Sequence, residues 1–161
     1  MTILFDPSDN AMLRAVLDAM PSAVFVVDAD VRIMMANRAA HELIRSSDMP
    51  PQASLRAGEA LHCLHAFDHP DGCGRSADCS DCVIRGAVGD ALAGKASRRL
   101  RTRMNLSLDG HRRDVYLQVT ASGFEHQTRQ LALLVMEDIS AFAELRKIVP
   151  ICAQCKKIRQ D

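Results

Sequence analysis

The sequence predicts an α+β domain: one five-stranded antiparallel sheet flanked by short helices, with an amphipathic helix leading in and another leading out. Two observations predict it. Two short strand-like runs stand near the N-terminus and three longer ones follow residue 97, and the stretch between them carries helical spacing and turn residues. Composition agrees: 20 Lys and Arg balance 20 Asp and Glu, and 48% of the 161 residues are hydrophobic but only 4% aromatic. The core must therefore come from Leu, Val, Ala, Ile and Met.

From Met12 to Met20 the apolar residues Met12, Leu13, Val16, Leu17 and Met20 follow helical spacing, with Ser8 or Asp9 as cap and Pro21 as stop. Ala23 to Val27 is β-rich and runs into Asp28-Ala29-Asp30, a turn, after which Val31 to Met35 reads as the second arm of a hairpin. Asn37 opens a helix through Ala39, Ala40, Leu43 and Ile44, and Ser46 to Arg56 is a connector. A Cys- and His-bearing stretch with Gly72 and Gly74 follows, and Cys79 and Cys82 open a helix up to Leu92. Arg98 to Leu108, Arg113 to Ser122 and Arg129 to Glu137 form a meander, the first two strands joined by Asp109-Gly110. Ser140 through Phe142, Leu145, Ile148 and Val149 is helical until Pro150.

The expected organisation is an N-terminal helix over residues 1–21, a domain over 22–140 with a cysteine-rich insertion at 58–85, and a helix or linker over 141–161. Zero net charge removes the electrostatic term behind non-specific nucleic-acid binding, so no nucleic-acid partner is expected. The basic run of Lys95, Arg98, Arg99, Arg101 and Arg103 reads as the solvated face of a strand, with Leu100 and Met104 on the other face. No stretch approaches the roughly 18 apolar residues of a membrane span, and Met1 to Asn10 lacks signal-peptide features, so a cytoplasmic location without membrane contact is expected. No phosphate-binding glycine loop, nucleophile elbow or kinase signature is visible, so the chain reads as a non-enzyme whose output lies in a partner or in further sequence.

At the residue level, Met20 through Asp28 and Met35-Ala36-Asn37-Arg38-Ala39-Ala40 resemble the opening of a PAS sensory domain, and Met136-Glu137-Asp138-Ile139-Ser140 resembles the signature that ends one. The resemblance spans roughly residues 10 to 145, with Val31 standing where a turn Gly is common. It implies a five-stranded sheet, homodimerisation and a downstream effector of histidine-kinase or cyclase type. It also gives Asn37, Asp138 and Ser140 a place in signal relay, though Asn37 serves equally as a helix cap. The stretch from Gly58 to Cys82 further resembles a cysteine-bearing subset of PAS domains in bacterial sensor kinases, some of which hold an oxygen-labile iron–sulfur cluster here with a different cysteine spacing.

Of six cysteines, Cys63, Cys73, Cys79 and Cys82 fall within 20 residues, separated by nine, five and two residues. Four soft thiolates, the last two close enough in sequence to share a metal, suit an iron–sulfur cluster first and zinc second, with free or disulfide-linked thiols third. His62, His65 and His69 are possible substitute ligands, although four cysteines already complete a tetrahedral set.

Cys152 and Cys155 form a second pair before Lys156 and Lys157, a basic setting that favours thiolate. The phrase around them resembles a segment that follows PAS domains, where further cysteines come later, so the pair acts alone or is completed beyond Asp161. A thiol–disulfide redox protein using this pair is one alternative function, and a zinc-stapled dimerisation module is another. Haem is disfavoured, because no Cys-x-x-Cys-His sequence occurs. Flavin or another small ligand inside the sheet stays open, and Met34, Met35, Met104 and Met136 read as core before they read as pocket lining. Leu13, Val16, Leu17, Leu145, Ile148 and Val149 supply apolar stripes for a homodimer through the terminal helices.

Overall fold

The computed structural model describes residues 7–44, 55–95, 97–108 and 110–148. Helix α1 (Pro7–Ala19) leads into strands β1 (Ala23–Val27) and β2 (Ile33–Ala36) and helix α2 (Arg38–Ile44). A single helical turn, α3 (Ala57–Ala60), and two short 3₁₀ turns precede helix α4 (Val83–Leu92), after which come β3 (Ser97–Leu108), β4 (His111–His126), β5 (Arg129–Asp138) and helix α5 (Ser140–Ile148). The five strands form one sheet in the order β2-β1-β5-β4-β3, and every neighbouring pair is antiparallel. This is the α+β architecture expected, with β4 extending beyond both predicted ends.

The core lies between one face of the sheet and the helices. Val115, Leu117, Val119 and Ala121 alternate inward along β4, and Phe25, Val27, Leu134 and Met136 carry that layer across β1 and β5. Ile84, Ala87, Val88 and Ala91, spaced for one helix face, press α4 onto it. Among the described residues no helix is long and apolar enough to cross a membrane.

One strand boundary is corrected. Val31 is not the first residue of a strand: its φ is 60°, its N–H bonds the Asp28 carbonyl at 3.0 Å, and β2 begins only at Ile33. A β-branched residue in the left-handed region costs roughly 1–3 kcal/mol. Val31 is 1% exposed, and full burial of its side chain returns a similar amount, roughly 1.5–3 kcal/mol. Leu100 shares the inward face with Met104, opposite Val119 and Val115 of β4, as expected; it lies just past the register shift at Arg99 (φ 53°) and stays 39% exposed while Met104 is buried. Arg99, Arg101 and Arg103 are exposed as expected, with Arg103 paired to Asp114, and Met34 is exposed rather than core.

Candidate metal centre

Cys63, Cys73, Cys79 and Cys82 come from different local elements and line one cavity of about 150 Å³. Cys63 precedes the first 3₁₀ turn (Leu64–Ala66), Cys79 lies within the second (Ala77–Asp81), and Cys82 is the residue that caps α4. The expectation that Cys79 opens the helix is therefore corrected: the 3₁₀ turn intervenes, and α4 starts at Val83. Cys73 lies between Gly72 at φ 80° and Gly74 at φ 89°, conformations that L side chains rarely adopt. A Cβ at Gly72 would collide with the Glu59 carboxylate and one at Gly74 with the Arg85 guanidinium, so both glycines allow charged groups to reach the Cys73 loop. The opposite wall is β3, through Thr102, Arg103, Met104 and Asn105. The cysteine loop is fastened to that strand by a bridge between Cys63 and Leu106 and by a 2.8 Å bond from Ser107 N–H to the His62 carbonyl.

All four thiols are free. Burial pushes the Cys63 and Cys73 thiols above their ordinary pKa, so a metal must displace their protons. Nearby N–H groups act against burial and lower these pKa values: the His65 and Ala66 amides at Cys63, and the Gly58 amide and Arg85 guanidinium at Cys73. N–H groups beside a sulfur favour its anionic form and tune metal–thiolate centres. Two buried polar atoms here lack a partner, Arg85 Nε and Glu59 Oε2.

Among the described residues, the only three ligand-type side chains whose donor atoms all lie within 4.8 Å of one another are His65, Asp68 and Asp78. No three of the four cysteine sulfurs lie mutually within that distance, so as placed they do not form a closed tetrahedral set about one ion. Of the substitute ligands, only His65 lines the cavity. His69 bonds the Asp71 N–H through Nδ1, and His62 sits at φ 56° outside the lining. Cys152 and Cys155 lie outside the described residues.

Sequence reasoning missed the ionic network behind the loop. Asp30 in the β1–β2 turn takes Arg56 Nε at 2.7 Å and Arg85 Nη2 at 2.9 Å. Arg85 Nη2 also reaches the Cys73 carbonyl at 3.1 Å, and Glu59 Oε1 accepts the Cys73 N–H at 2.8 Å. Burial raises the Asp30 pKa, but the hydrogen bonds and charges of the two arginines outweigh it and hold the carboxyl below its usual range. These partners lie up to 55 positions apart, so no local spacing announces them.

Asn37, Asp138 and Ser140, expected to relay the signal, also have defined places. Asn37 is 3% exposed. Its Oδ1 accepts from Val24 N–H and Ala40 N–H at 2.9 Å, and its Nδ2 donates to the Leu17 and Ser22 carbonyls at 2.8 and 3.1 Å. It thereby caps α2 and ties it to the end of α1 and the start of β1. At the far end, Tyr116 of β4 grips the start of α5: its carbonyl takes the Ile139 N–H at 2.8 Å and its N–H donates to Ser140 Oγ at 3.0 Å. Asp138 Oδ1 accepts the Ser140 N–H at 2.8 Å. Replacing Ser140 by Ala removes one acceptor; the expected result is faster hydrogen exchange at Tyr116 and along α5, a local cost of about 1 kcal/mol, and an unchanged exchange rate in α4.

A second cavity lies across the sheet face, open and lined by Leu43, Leu61, Val115, Leu117, Met136 and, at its rim, Glu42 and Glu137.

The family model described as PAS domain matches residues 11–79. No curated protein matches the chain. Among solved structures, the chain is similar to the PAS domain of nitrogen regulation protein NR(II) from Vibrio parahaemolyticus, at 18% identity and a TM-score of 0.48 over 80% of this chain and 98% of that one. It is similar to the VqmA dimer of Vibrio cholerae in the absence of target DNA, at 14% identity and a TM-score of 0.48 over 98% of this chain and 63% of that one. The PAS domain of Bordetella pertussis BvgS is a third, at 18% identity and a TM-score of 0.42 over 88% and 94%. The family match runs from α1 through the third of the four cysteines, and the strands β1 and β2 within it belong to a five-stranded sheet that β3 to β5 complete, so it is the N-terminal part of this chain that is similar to the PAS-domain family.

Proposed function

We propose that this PAS domain senses its signal at a metal centre held by Cys63, Cys73, Cys79 and Cys82, an iron–sulfur cluster ahead of zinc. The observation that carries the reading is that four free thiols from separate turns line one small cavity, with N–H groups beside Cys63 and Cys73 that favour their thiolates. Bound there, a cluster supplies a redox- and oxygen-labile group, whereas zinc supplies a static clip.

The chain's own residues offer a route for the signal. The cavity wall at Arg103 and Met104 pairs in register with Tyr116 and Val115 of β4, and Tyr116 holds the first residues of α5. A shift of the cysteine loop against β3 therefore bears on α5 through one strand pair, and α5 would pass it to an effector of kinase or cyclase type. Exposed apolar side chains on α1 (Met12, Leu13, Val16) and α5 (Phe142, Leu145) support homodimerisation through these helices.

Hydrogen exchange on loaded and metal-stripped protein tests the relay. Stripping is expected to speed exchange over residues 58–82, at the start of α4 and at the Tyr116–Ser140 junction. Acceleration confined to the loop would make the centre a structural clip and sink the sensing role.

A further inference from the structure

The half-buried guanidinium of Arg85 sits where an anionic centre needs one. Its side chain lines the cysteine cavity, 21% exposed, and Nη2 is committed to Asp30 and the Cys73 carbonyl. The group also favours the Cys73 thiolate, and Nε is a buried donor with no hydrogen-bond partner. A buried N–H left unpaired costs about 1–3 kcal/mol, so a position that tolerates one calls for an acceptor. Four thiolates around a divalent zinc, or around a cluster core of charge +2, leave a net charge of about −2 in a space of low polarity. Among the charged side chains lining the cavity, Arg85 and Arg103 are cations; Arg103 is the more exposed and is paired to Asp114. Asp30 does not neutralise Arg85 alone, because it is shared with Arg56.

We infer that Arg85 is a positioning residue for the centre, its internal counter-charge and an N–H donor to its sulfur, held on station by Asp30. The inference rests on the metal reading above and names which side chain sets the centre's hold and potential. Because reduction adds negative charge, a neighbouring cation favours the reduced form, and removing it lowers the reduction potential. The same side chain joins the cysteine loop to the β1–β2 turn.

The test loads the whole chain and its R85M, R85K and D30N variants anaerobically with iron and sulfide, then measures retention against a chelator and the reduction potential. R85M is expected to lose the centre about 10- to 100-fold more readily and to shift what remains to lower potential. R85K is expected to keep much of both, and D30N, which removes the tether but not the charge, to move retention without matching the fall in potential. Circular dichroism and a melt on each apo-variant show that the fold persists. An R85M centre with wild-type retention and potential overturns the inference, as does a D30N centre whose potential falls as far as that of R85M. If wild-type protein takes up no iron, the metal reading fails and this inference with it, which is a different result from a loaded wild type beside an unchanged R85M.

Discussion

Replacing Asn37 by Ala is expected to lower the unfolding free energy by about 3–5 kcal/mol, one of the largest single losses available in this chain. The side chain makes four hydrogen bonds at 3% exposure. Truncation strands the N–H groups of Val24 and Ala40 and the carbonyls of Leu17 and Ser22 where little water can replace the amide. For a domain of this length that corresponds to a melting temperature roughly 10 °C lower. Asn37→Asp separates capping from bridging. It keeps the acceptor for both N–H groups but aims carboxylate oxygen at two carbonyls, so it too destabilises, by about 2–3 kcal/mol. An Asn37→Asp variant as stable as the wild type would show that the bonds to Leu17 and Ser22, and with them the tie to α1, contribute little.

The second large effect is expected at Gly58. A Cβ there would lie 2.6 Å from Cys73 Sγ and 2.7 Å from Cys73 Cβ. Cys73 cannot simply step aside, because its N–H is held by Glu59 and its carbonyl by Arg85. Ala in place of Gly gains up to about 1 kcal/mol of helix propensity in α3, but forcing a methyl into this contact costs about 1–3 kcal/mol. The clash wins, and the thiol is what moves. Gly58→Ala is expected to melt at or slightly below the wild-type temperature while losing metal at least about 10-fold more readily. Chelator competition beside a thermal scan reads both. Undiminished metal retention would mean that Cys73 is not a ligand.

The sheet was legible in the sequence because its strands obey a period of two: Val115, Leu117, Val119 and Ala121 alternate without a break, and Asp109-Gly110 marks the turn before them. Val31 misled the reading because its residue type argues for a strand. Its buried side chain outweighs its backbone preference, and the partner turn at Asp28, not its residue type, shows this; its place where a turn Gly is common was the one hint in the sequence. Cysteine spacing singled out Cys63, Cys73, Cys79 and Cys82, and the fold brings all four to one cavity. It could not choose among His62, His65 and His69, which depends on how two 3₁₀ turns aim their side chains. The glycines at 72 and 74 hinted that something approaches Cys73 closely. That the visitors are Glu59 and Arg85, anchored through Asp30 and Arg56, is a property of tertiary structure, because residues from three separate segments meet there.

Metal and acid-labile sulfide analysis, with an absorption spectrum, on anaerobically purified protein carrying Cys152→Ser and Cys155→Ser tests the four-cysteine centre most directly. Those two substitutions assign whatever is found to the cavity. Iron and sulfide in comparable amounts, with broad visible absorption that disappears when Cys79 is also replaced by Ser, is the expected result. Protein without metal, or with metal that survives loss of Cys79, would contradict the centre; one zinc per chain without sulfide or colour would leave the four cysteines a clip and place the sensed signal elsewhere in the fold.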